Sequence, residues 1–215
     1  MSRLYIIGAG GMARECKDLL ETLGRADELK AFVEEPAERP PGTASNDLHV
    51  VGVRDLPKPA PDVRLTCAIG SLRRKRLLDQ LEHAGYQFET LVDPRAVVRP
   101  SAIIGAGSVV MAGAIVSDRV TIGRHSILNF QCSVSHDVTI GDYCTLCPGV
   151  HVGGWAKVGA QTWLGIGAVL KDRVSVGAGS YVGAGACVVE DIGDGVLAYG
   201  VPARGVGPFD PSQDR

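Results

Sequence analysis

Aliphatic residues recur at every sixth position over a long central stretch of this chain. Sixteen consecutive members of the series, from Val98 to Val188, are valine, isoleucine or leucine. Four residues after each of the first fifteen members, the side chain is small or β-branched. A short flat strand alternates its side chains, so it offers one large inward residue before the chain turns. The hexad therefore predicts a parallel β-helix, in which each coil covers the apolar interior of its neighbour.

Three hexads make one triangular coil of eighteen residues, so residues eighteen apart should stack and form three faces. The face that we expect to be solvated carries a glycine column and mostly polar outward residues: Gly105, Gly123, Gly141, Gly159 and Gly177, with Ile103, Thr121, Thr139, Lys157 and Ser175. The other two outward columns are too apolar to remain exposed, which favours association. They are Val109, Ile127, Thr145, Trp163 and Tyr181, and Val97, Ile115, Ser133, His151, Val169 and Cys187.

Residues 1–92 form a separate unit before the repeats. Strands and helices alternate there, which is typical of a parallel sheet with right-handed crossovers, so we expect a small Rossmann-like α/β domain. Ligands of such sheets bind at the carboxyl ends of the strands. Those ends are expected to converge; they are Gly8–Gly11, Glu34–Glu35 and Gly70–Ser71.

The first of these strand ends has the spacing of a phosphate-binding turn. Gly8, Gly10 and Ala13 form a G-x-G-x-x-A pattern between a predicted strand and a predicted helix. Glycines there let backbone amides approach a phosphate at a helix N-terminus. The same residues would also serve a simple tight turn. A domain of about 90 residues is small for a complete NAD site, so a nucleotide-linked substrate fits it better.

Composition narrows the possible functions and locations. The net charge of −2 over 215 residues gives no reason to expect nucleic acid as a partner. The six cysteines lack paired spacing, which is typical of free thiols in the cytoplasm. No apolar run approaches the ~20 residues that span a bilayer. We therefore expect a cytoplasmic protein. After the N-terminal unit, we expect a β-helix domain at 93–205 and a frayed polar tail at 206–215.

Six short motifs follow one another along nearly the whole chain: Leu4-Tyr5-Ile6-Ile7-Gly8-Ala9-Gly10-Gly11, Ala68-Ile69-Gly70, Ile127-Leu128-Asn129, Ser135-His136-Asp137, Pro148-Gly149 and Tyr199-Gly200-Val201-Pro202-Ala203. In this order they resemble the bacterial hexapeptide-repeat sugar acetyltransferases of the sialic acid O-acetyltransferase type, which include N-acetyltransferases of nucleotide-linked amino sugars. The resemblance implies a left-handed β-helix and a homotrimer. It also implies acetyl-CoA bound between neighbouring subunits and an N-terminal domain that holds the nucleotide part of the acceptor.

The resemblance further implies roles for individual residues. His136 matches the catalytic base, Asp137 its acidic partner and Asn129 a polar active-site residue. The positions that match acetyl-CoA contacts are Gly154 near the acetyl carbonyl and Ile166, Gly183 and Ala184 along the pantetheine arm. The positions that match the acceptor pocket are Gly10, Gly11, Glu34, Glu35, Gly70 and Ser71. Three cations lie near the expected nucleotide end of CoA. They either contact its phosphates or are simply solvated: Lys171, Arg173 and Arg204.

The chemistry favours His136 as the base. An amine or hydroxyl that attacks a thioester must lose a proton, and imidazole, with a reference pKa of about 6.5, suits that task at neutral pH. Asp137 would orient the ring, and the Gly154 amide would donate to the developing oxyanion, a contribution of about 3 kcal/mol. An exposed histidine at a corner of the β-helix is also compatible with a purely solvated side chain.

Two positions depart from the pattern of the family. Thr145 stands where many relatives have a second histidine, and Glu34–Glu35 replaces the usual pair of aspartates. Both differences bear on the identity of the acceptor more than on the chemistry.

Several functions remain open at this point. The leading hypothesis is N-acetylation of a UDP- or GDP-linked amino sugar, and the runner-up is O-acetylation of a sialic-acid-like hydroxyl. A zinc hydratase of the carbonic anhydrase type would need three convergent histidines. His125, His136 and His151 are spaced by eleven and fifteen residues, which places them in separate columns, so we expect no metal. An assembly scaffold without catalysis would bind no acetyl-CoA.

Overall fold

The computed structural model of the chain describes residues 2–35 and 49–213. Its first part is a five-stranded parallel sheet with the strand order β3-β2-β1-β4-β5. The strands are β1 (Arg3–Ile7), β2 (Leu29–Glu34), β3 (Val50–Gly52), β4 (Val63–Cys67) and β5 (Gln87–Phe88). The helices are α1 (Gly11–Thr22) and α2 (Arg74–His83), with 3-10 turns at Ala26–Glu28 and Val53–Asp55. None of the described helices is long and apolar enough to cross a bilayer.

The sequence of helix α1 explains which face of the helix is buried and where the helix ends. Its buried side chains include Cys16, Leu19 and Leu20, which form one apolar stripe against the sheet. The helix ends where Gly24 adopts a left-handed φ of 69°. The amides of Gly24 and Arg25 then donate to carbonyls of the last turn, which is a Schellman cap. The N-terminus of α1 has no side-chain cap, so its first amides remain available at the end of β1.

The second part of the chain is a parallel β-helix of three sheets, as the hexad predicted. The domain-facing sheet consists of Leu91–Val92, Val109–Val110, Ile127–Leu128, Thr145–Leu146, Trp163–Leu164 and Tyr181–Val182, extended by Val196–Gly200 and Ala203–Pro208. The apolar sheet consists of Val97–Val98, Ile115–Val116, Ser133–Val134, His151–Val152, Val169–Leu170 and Cys187–Val188. The polar sheet consists of Ile103–Ile104, Thr121–Ile122, Thr139–Ile140, Lys157–Val158 and Ser175–Val176.

Strands of successive coils pair eighteen residues apart, which confirms the expected register. Ile115, for example, pairs with Val97 on one side and Ser133 on the other. The β-helix begins two residues earlier than expected, because Leu91–Val92 already pairs with Val109–Val110. The inward residues of every coil meet in one continuous apolar core.

The glycine column has a steric cause. A Cβ atom added at Gly123 would lie 2.5 Å from the backbone nitrogen of Asp142 in the next coil. A Cβ at Gly141 would likewise lie 2.5 Å from the backbone nitrogen of Ala160. Coils approach so closely at this corner that a side chain would force them apart. The glycines of this column are therefore explained by the close spacing of the coils, without a ligand site.

One of the two apolar columns is covered by the chain itself. Val109, Ile127 and Thr145 are at most 2% exposed, because the N-terminal domain packs on the domain-facing sheet. Trp163 and Tyr181, which we expected to drive association, stack on one another and are only partly exposed. The expectation that both columns form contacts between subunits is therefore wrong for this sheet. The apolar sheet, in contrast, is not covered by the described residues: Val97 and Ile115, for example, are each 48% exposed.

A buried arginine forms hydrogen bonds to both domains at their junction. Arg74, at the start of α2, is 2% exposed and donates to the carbonyl of Gly70 at 2.7 Å and to the hydroxyl of Thr145 at 2.8 Å. It also donates to three carbonyls of the β-helix, those of His125, Tyr143 and Cys144. Burying a guanidinium is costly unless its donors are satisfied. Here the oxygen atoms of the β-helix supply most of the partners.

The C-terminal segment is folded, contrary to the expected frayed tail at 206–215. Strand Ala203–Pro208 pairs with Val196–Gly200, and a 3-10 turn follows at Pro211–Gln213. The Phe209 ring packs against Tyr181 with 5.1 Å between the centroids. These apolar contacts hold the segment although its sequence is polar and contains prolines; residues 214 and 215 lie outside the described part.

The glycine column yields a test of coil spacing. We expect Gly141→Ala to lower the free energy of unfolding by about 1–3 kcal/mol, because the added methyl meets backbone atoms that cannot rotate away. Gly207→Ala is the matched control, since no atom lies within 4 Å of a Cβ added there. Urea denaturation followed by circular dichroism measures both. Equal midpoints for the two variants would contradict the steric explanation.

Candidate active site

His136 and Asp137 lie in the turn that connects the apolar sheet to the polar sheet. His136 Nδ1 is 2.9 Å from Asp137 Oδ2. A carboxylate accepts only, so this contact places a proton on Nδ1 and leaves Nε2 free to accept another. The side chain of His136 is 45% exposed, so a substrate has access to it. This arrangement suits a general base.

Gly154 lies one coil further along, directly against the imidazole. A Cβ atom at this position would come within 2.8 Å of His136 Cε1, so only glycine permits the contact. Within the described residues, the N–H of Gly154 donates to no protein acceptor. A free backbone donor beside a base is suited to stabilise an oxyanion. The structure thus brings His136, Asp137 and Gly154 together, as predicted.

Two further residues, neither of them predicted from the sequence, contact this pair. Arg119, one coil earlier, donates to both carboxylate oxygens of Asp137, at 2.8 and 3.0 Å. These hydrogen bonds, followed by the one from His136, lower the pKa of Asp137 to about 2. The ring of Trp155 meets His136 edge-on, with 4.4 Å between centroids and an interplanar angle of 88°. The eighteen-residue spacing could have indicated both neighbours.

Asn129 and three of the predicted acetyl-CoA contacts lie at a different corner. Asn129 follows the domain-facing sheet, at the turn that leads to the apolar sheet, and its side chain accepts from the amide of Phe130. The others at this corner are Ile166, Gly183 and Ala184. A single chain therefore separates these residues from His136 by the full width of the apolar sheet.

The residues at this second corner are not equally available to a ligand. Ile166 is 61% exposed and Ala184 is also exposed, one coil apart. Gly183 is buried, its N–H donates to the carbonyl of Ala198 at 2.8 Å, and a Cβ there would overlap the ring of Tyr199. Packing explains the glycine at 183 without a ligand, whereas Ile166 and Ala184 present surface.

The predicted phosphate contacts lie in different surroundings. Lys171 is exposed at the same corner as His136. Arg173 lies over the ring of Trp155 at 4.1 Å. Arg204 lies 3.4 Å from Glu190 and is more than half exposed. The structure does not group the three cations at one point of a single chain.

The predicted acceptor residues line two adjoining cavities at the carboxyl ends of the parallel strands. The larger has a volume of about 570 Å³ and includes Glu34, Glu35 and Ser71 in its wall. The smaller, of about 320 Å³, is lined by the glycine-rich turn that contains Gly10 and Gly11, together with Glu34 and Gly70. The expected convergence of the three strand ends is therefore confirmed.

Glu34 is the most informative side chain in these cavities. Its Oε2 atom is buried and has no hydrogen-bond partner among the described residues. A buried acceptor without a donor is costly unless a ligand supplies one. Glu35, in contrast, lies 3.9 Å from Arg76. Glu34 thus indicates a ligand group with an N–H or O–H at this point.

Other cavity residues were not expected from the sequence. The wall of the larger cavity also includes Arg73, Lys75 and Arg76 of the α2 region, Gln161 of the β-helix, and Pro211 and Ser212 of the C-terminal segment. No local pattern indicated the last two, because the tail looked like a frayed end. Thr145, at the position of the missing second histidine, is buried and donates to the carbonyl of Gly70 at 2.9 Å. It supports the cavity wall.

The three histidines of the zinc alternative each have a different partner. His125 is buried against Glu82, at 2.7 Å, and burial lowers its pKa. His151 contacts the hydroxyl of Ser133 at 2.7 Å. Within the described residues, no group of three or more His, Cys, Asp or Glu side chains could hold a metal ion.

Comparisons with known proteins agree with this geometry. The profile of the bacterial transferase hexapeptide family (six repeats) matches residues 119–154. UDP-N-acetylbacillosamine N-acetyltransferase of Bacillus subtilis (strain 168) is 33% identical over 122 residues. That match spans about half of each chain, 52% of this one and 52% of the relative.

Solved structures match almost the whole chain. PerB, the GDP-perosamine N-acetyltransferase of Caulobacter crescentus, solved in complex with CoA and GDP-perosamine, is 34% identical, with a TM-score of 0.85. The match covers 96% of this chain and 98% of that one. A mutant of the Caulobacter enzyme with a histidine replaced by alanine was solved with the same two ligands.

A second structure, the acetyltransferase domain of PglB from Neisseria gonorrhoeae FA1090, is 31% identical, with a TM-score of 0.86, over 96% of this chain and 100% of that one. This domain has also been solved in complex with acetyl coenzyme A. The repeats, the His136 corner and similarity over nearly the full length lead to one conclusion: the chain belongs to the bacterial hexapeptide-repeat sugar N-acetyltransferases and is an acyltransferase.

Proposed function

We propose that this enzyme transfers the acetyl group of acetyl-CoA to the amine of a nucleotide-linked amino sugar, a UDP- or GDP-sugar, with His136 as general base. The observation that carries the proposal is the half-exposed imidazole of His136 beside the unengaged N–H of Gly154. Two relatives are by name N-acetyltransferases of UDP-N-acetylbacillosamine and of GDP-perosamine, which supports an amine as the acceptor.

The proposed reaction is a direct transfer. The amine nitrogen attacks the thioester carbonyl carbon while His136 Nε2 takes the proton that the nitrogen loses. The N–H of Gly154 donates to the oxyanion, which then collapses as the carbon–sulfur bond breaks. The imidazolium returns its proton to the thiolate of CoA. Asp137 keeps Nδ1 protonated and stabilises the transient imidazolium.

The acceptor would occupy the two cavities of the N-terminal domain, which we assign as Rossmann-like. The uncapped N-terminus of α1, at Gly10 and Gly11, suits a phosphate group. Glu34 would accept a hydrogen bond from the ribose or the base. Three cations of the α2 region, Arg73, Lys75 and Arg76, add positive charge that suits a diphosphate. The sugar would then extend toward the β-helix.

The β-helix, which we assign as left-handed, would act as a homotrimer. One chain carries His136 at one edge of the apolar sheet, and carries Asn129, Ile166 and Ala184 at the other. Three-fold association through this sheet would bring one edge of each chain against the opposite edge of its neighbour. Its outward residues Val97 and Ile115 are each 48% exposed in a single chain, which supports such an interface. Acetyl-CoA would then bind between subunits.

We also propose that the enzyme acts in the cytoplasm. Five of its six cysteines are buried, and all six are free thiols, which suits a reducing compartment.

Acceptor chemistry is tested with purified protein, acetyl-CoA and a panel of UDP- and GDP-linked amino sugars. We expect thiol release with at least one amino sugar nucleotide, because the base is placed to accept an amine proton. The matched control is the same nucleotide sugar with a hydroxyl in place of the amine, which should give no release. Thiol release with a free nine-carbon sugar acid, and none with any amino sugar, would instead establish O-acetylation.

The role of His136 is tested with His136→Ala. We expect kcat to fall by about 10² to 10⁴ because the proton has no acceptor. Binding of acetyl-CoA should persist, as CoA and acceptor do in the histidine mutant of the Caulobacter enzyme. Steady-state kinetics and calorimetry measure the two effects. His83→Ala, at the exposed end of α2, is the control and should keep full activity. Near wild-type turnover of His136→Ala would refute the mechanism.

The oligomeric state is tested with Ile115→Arg. The charge lies in the middle of the apolar sheet, so we expect a monomer by light scattering and loss of most activity. Ile103→Arg is a matched control, because Ile103 is 62% exposed on the polar sheet and should tolerate the charge. A wild-type protein that is monomeric at micromolar concentration would contradict the proposed trimer.

A further inference from the structure

The coil register places four residues in one column beside the His136 corner. They are Arg119, Asp137, Trp155 and Arg173, spaced eighteen residues apart. All four have left-handed backbone conformations, with φ from 52° to 64°. Their side chains therefore leave successive coils at equivalent points and meet one another along the β-helix axis.

Arg119 and His136 share one carboxylate. Arg119 Nε donates to Asp137 Oδ1 at 2.8 Å, and Arg119 Nη2 donates to Oδ2 at 3.0 Å. The same Oδ2 is 2.9 Å from His136 Nδ1. The negative charge that would stabilise an imidazolium is thus already neutralised in part by a guanidinium.

We propose that Arg119 is a positioning residue that sets the charge balance of the His136–Asp137 pair and so keeps the imidazole a base at neutral pH. This inference rests on the catalytic role proposed for His136. A neighbouring carboxylate favours the imidazolium, and a guanidinium on the same carboxylate opposes that effect. Arg119 takes up part of the negative charge of the carboxylate, so Asp137 stabilises the imidazolium less and the proton passes more readily to the CoA thiolate.

Arg119 pairs with the Asp137 carboxylate, whereas the other charged groups near the His136–Asp137 pair have different partners. On the preceding coil, Asp118 accepts from Arg119 at 2.7 Å and from the hydroxyl of Ser101. On the following coil, Arg173 lies over the Trp155 ring and 3.9 Å from Asp172. Neither Asp118 nor Arg173 contacts the Asp137 carboxylate.

The imidazole is also held from its other side. Trp155 meets the ring of His136 edge-on, and its own backbone N–H donates to the carbonyl of His136 at 3.0 Å. Loss of Arg119 should therefore change the charge around the ring more than its placement.

Asp137 itself does not titrate in the range of an activity assay. Its pKa of about 2 lies below the ordinary value for aspartate, because Arg119 and then His136 bind the ionised form. The ion pair with Arg119 is complete above the ordinary pKa of about 4 and is lost only as the pH falls through about 2. A difference near neutrality between the pH profiles of two variants therefore does not arise from Asp137.

The inference is tested by the pH dependence of kcat/KM. In Arg119→Gln, we expect the acid limb to move to higher pH by about half a unit, since one charge at short distance is removed from a largely solvated site. Asp137→Asn should move the same limb to lower pH, because it removes the opposite charge. Arg119→Lys keeps the charge and should restore the wild-type profile even if kcat falls.

Arg99→Gln is the matched control for loss of one exposed arginine from the β-helix, and its profile should overlay that of the wild type. Thermal melting of each variant checks that the coils remain folded. Superimposable profiles for Arg119→Gln and wild type would overturn the inference.

A measurement without turnover separates this inference from the proposed function. The ring signals of His136, assigned by their loss in His136→Ala, are titrated by NMR in wild type and Arg119→Gln. We expect the midpoint to rise in the variant by the same half unit. An unchanged midpoint overturns the role of Arg119. Full activity of His136→Ala overturns the catalytic assignment instead.

Discussion

Stacking of one coil on the next, in a register of eighteen residues, is the constraint on which the rest of the structure depends. It requires glycine where backbones approach most closely, as at Gly141. It also aligns side chains at each corner, so that Gly154 lies against His136 and Arg119 reaches Asp137. The candidate site is therefore a consequence of coil geometry: neighbours in space are eighteen residues apart in sequence.

The junction between the domains depends on a second interaction, the buried guanidinium of Arg74. Its partners include the loop carbonyl of Gly70 and the hydroxyl of Thr145, so one side chain fixes both the cavity wall and the docking of α2. An apolar contact alone, such as that of Val109 and Met111 with the sheet, would leave the rotation of the domain less defined. Hydrogen bonds add direction to that contact.

Together these two features place the acceptor cavities and the His136 corner at different parts of a single chain. The N-terminal domain occupies the domain-facing sheet, and His136 lies beyond the far edge of the apolar sheet. Under the proposed trimer, the acceptor held by one chain would meet the base of its neighbour. Association would then be part of catalysis, and the uncovered apolar sheet would have a function beyond stability.

The sequence by itself determined the elements that repeat. The hexad predicted the coil, its register and the corner shared by His136, Asp137 and Gly154, because each depends on periodicity along the chain. Only the tertiary structure decided which apolar column the chain covers, where Arg74 is buried, how Phe209 packs on Tyr181, and how Ser212 comes to line the cavity. These contacts join segments far apart in sequence, and their energies come from surfaces that exist only after both segments have folded.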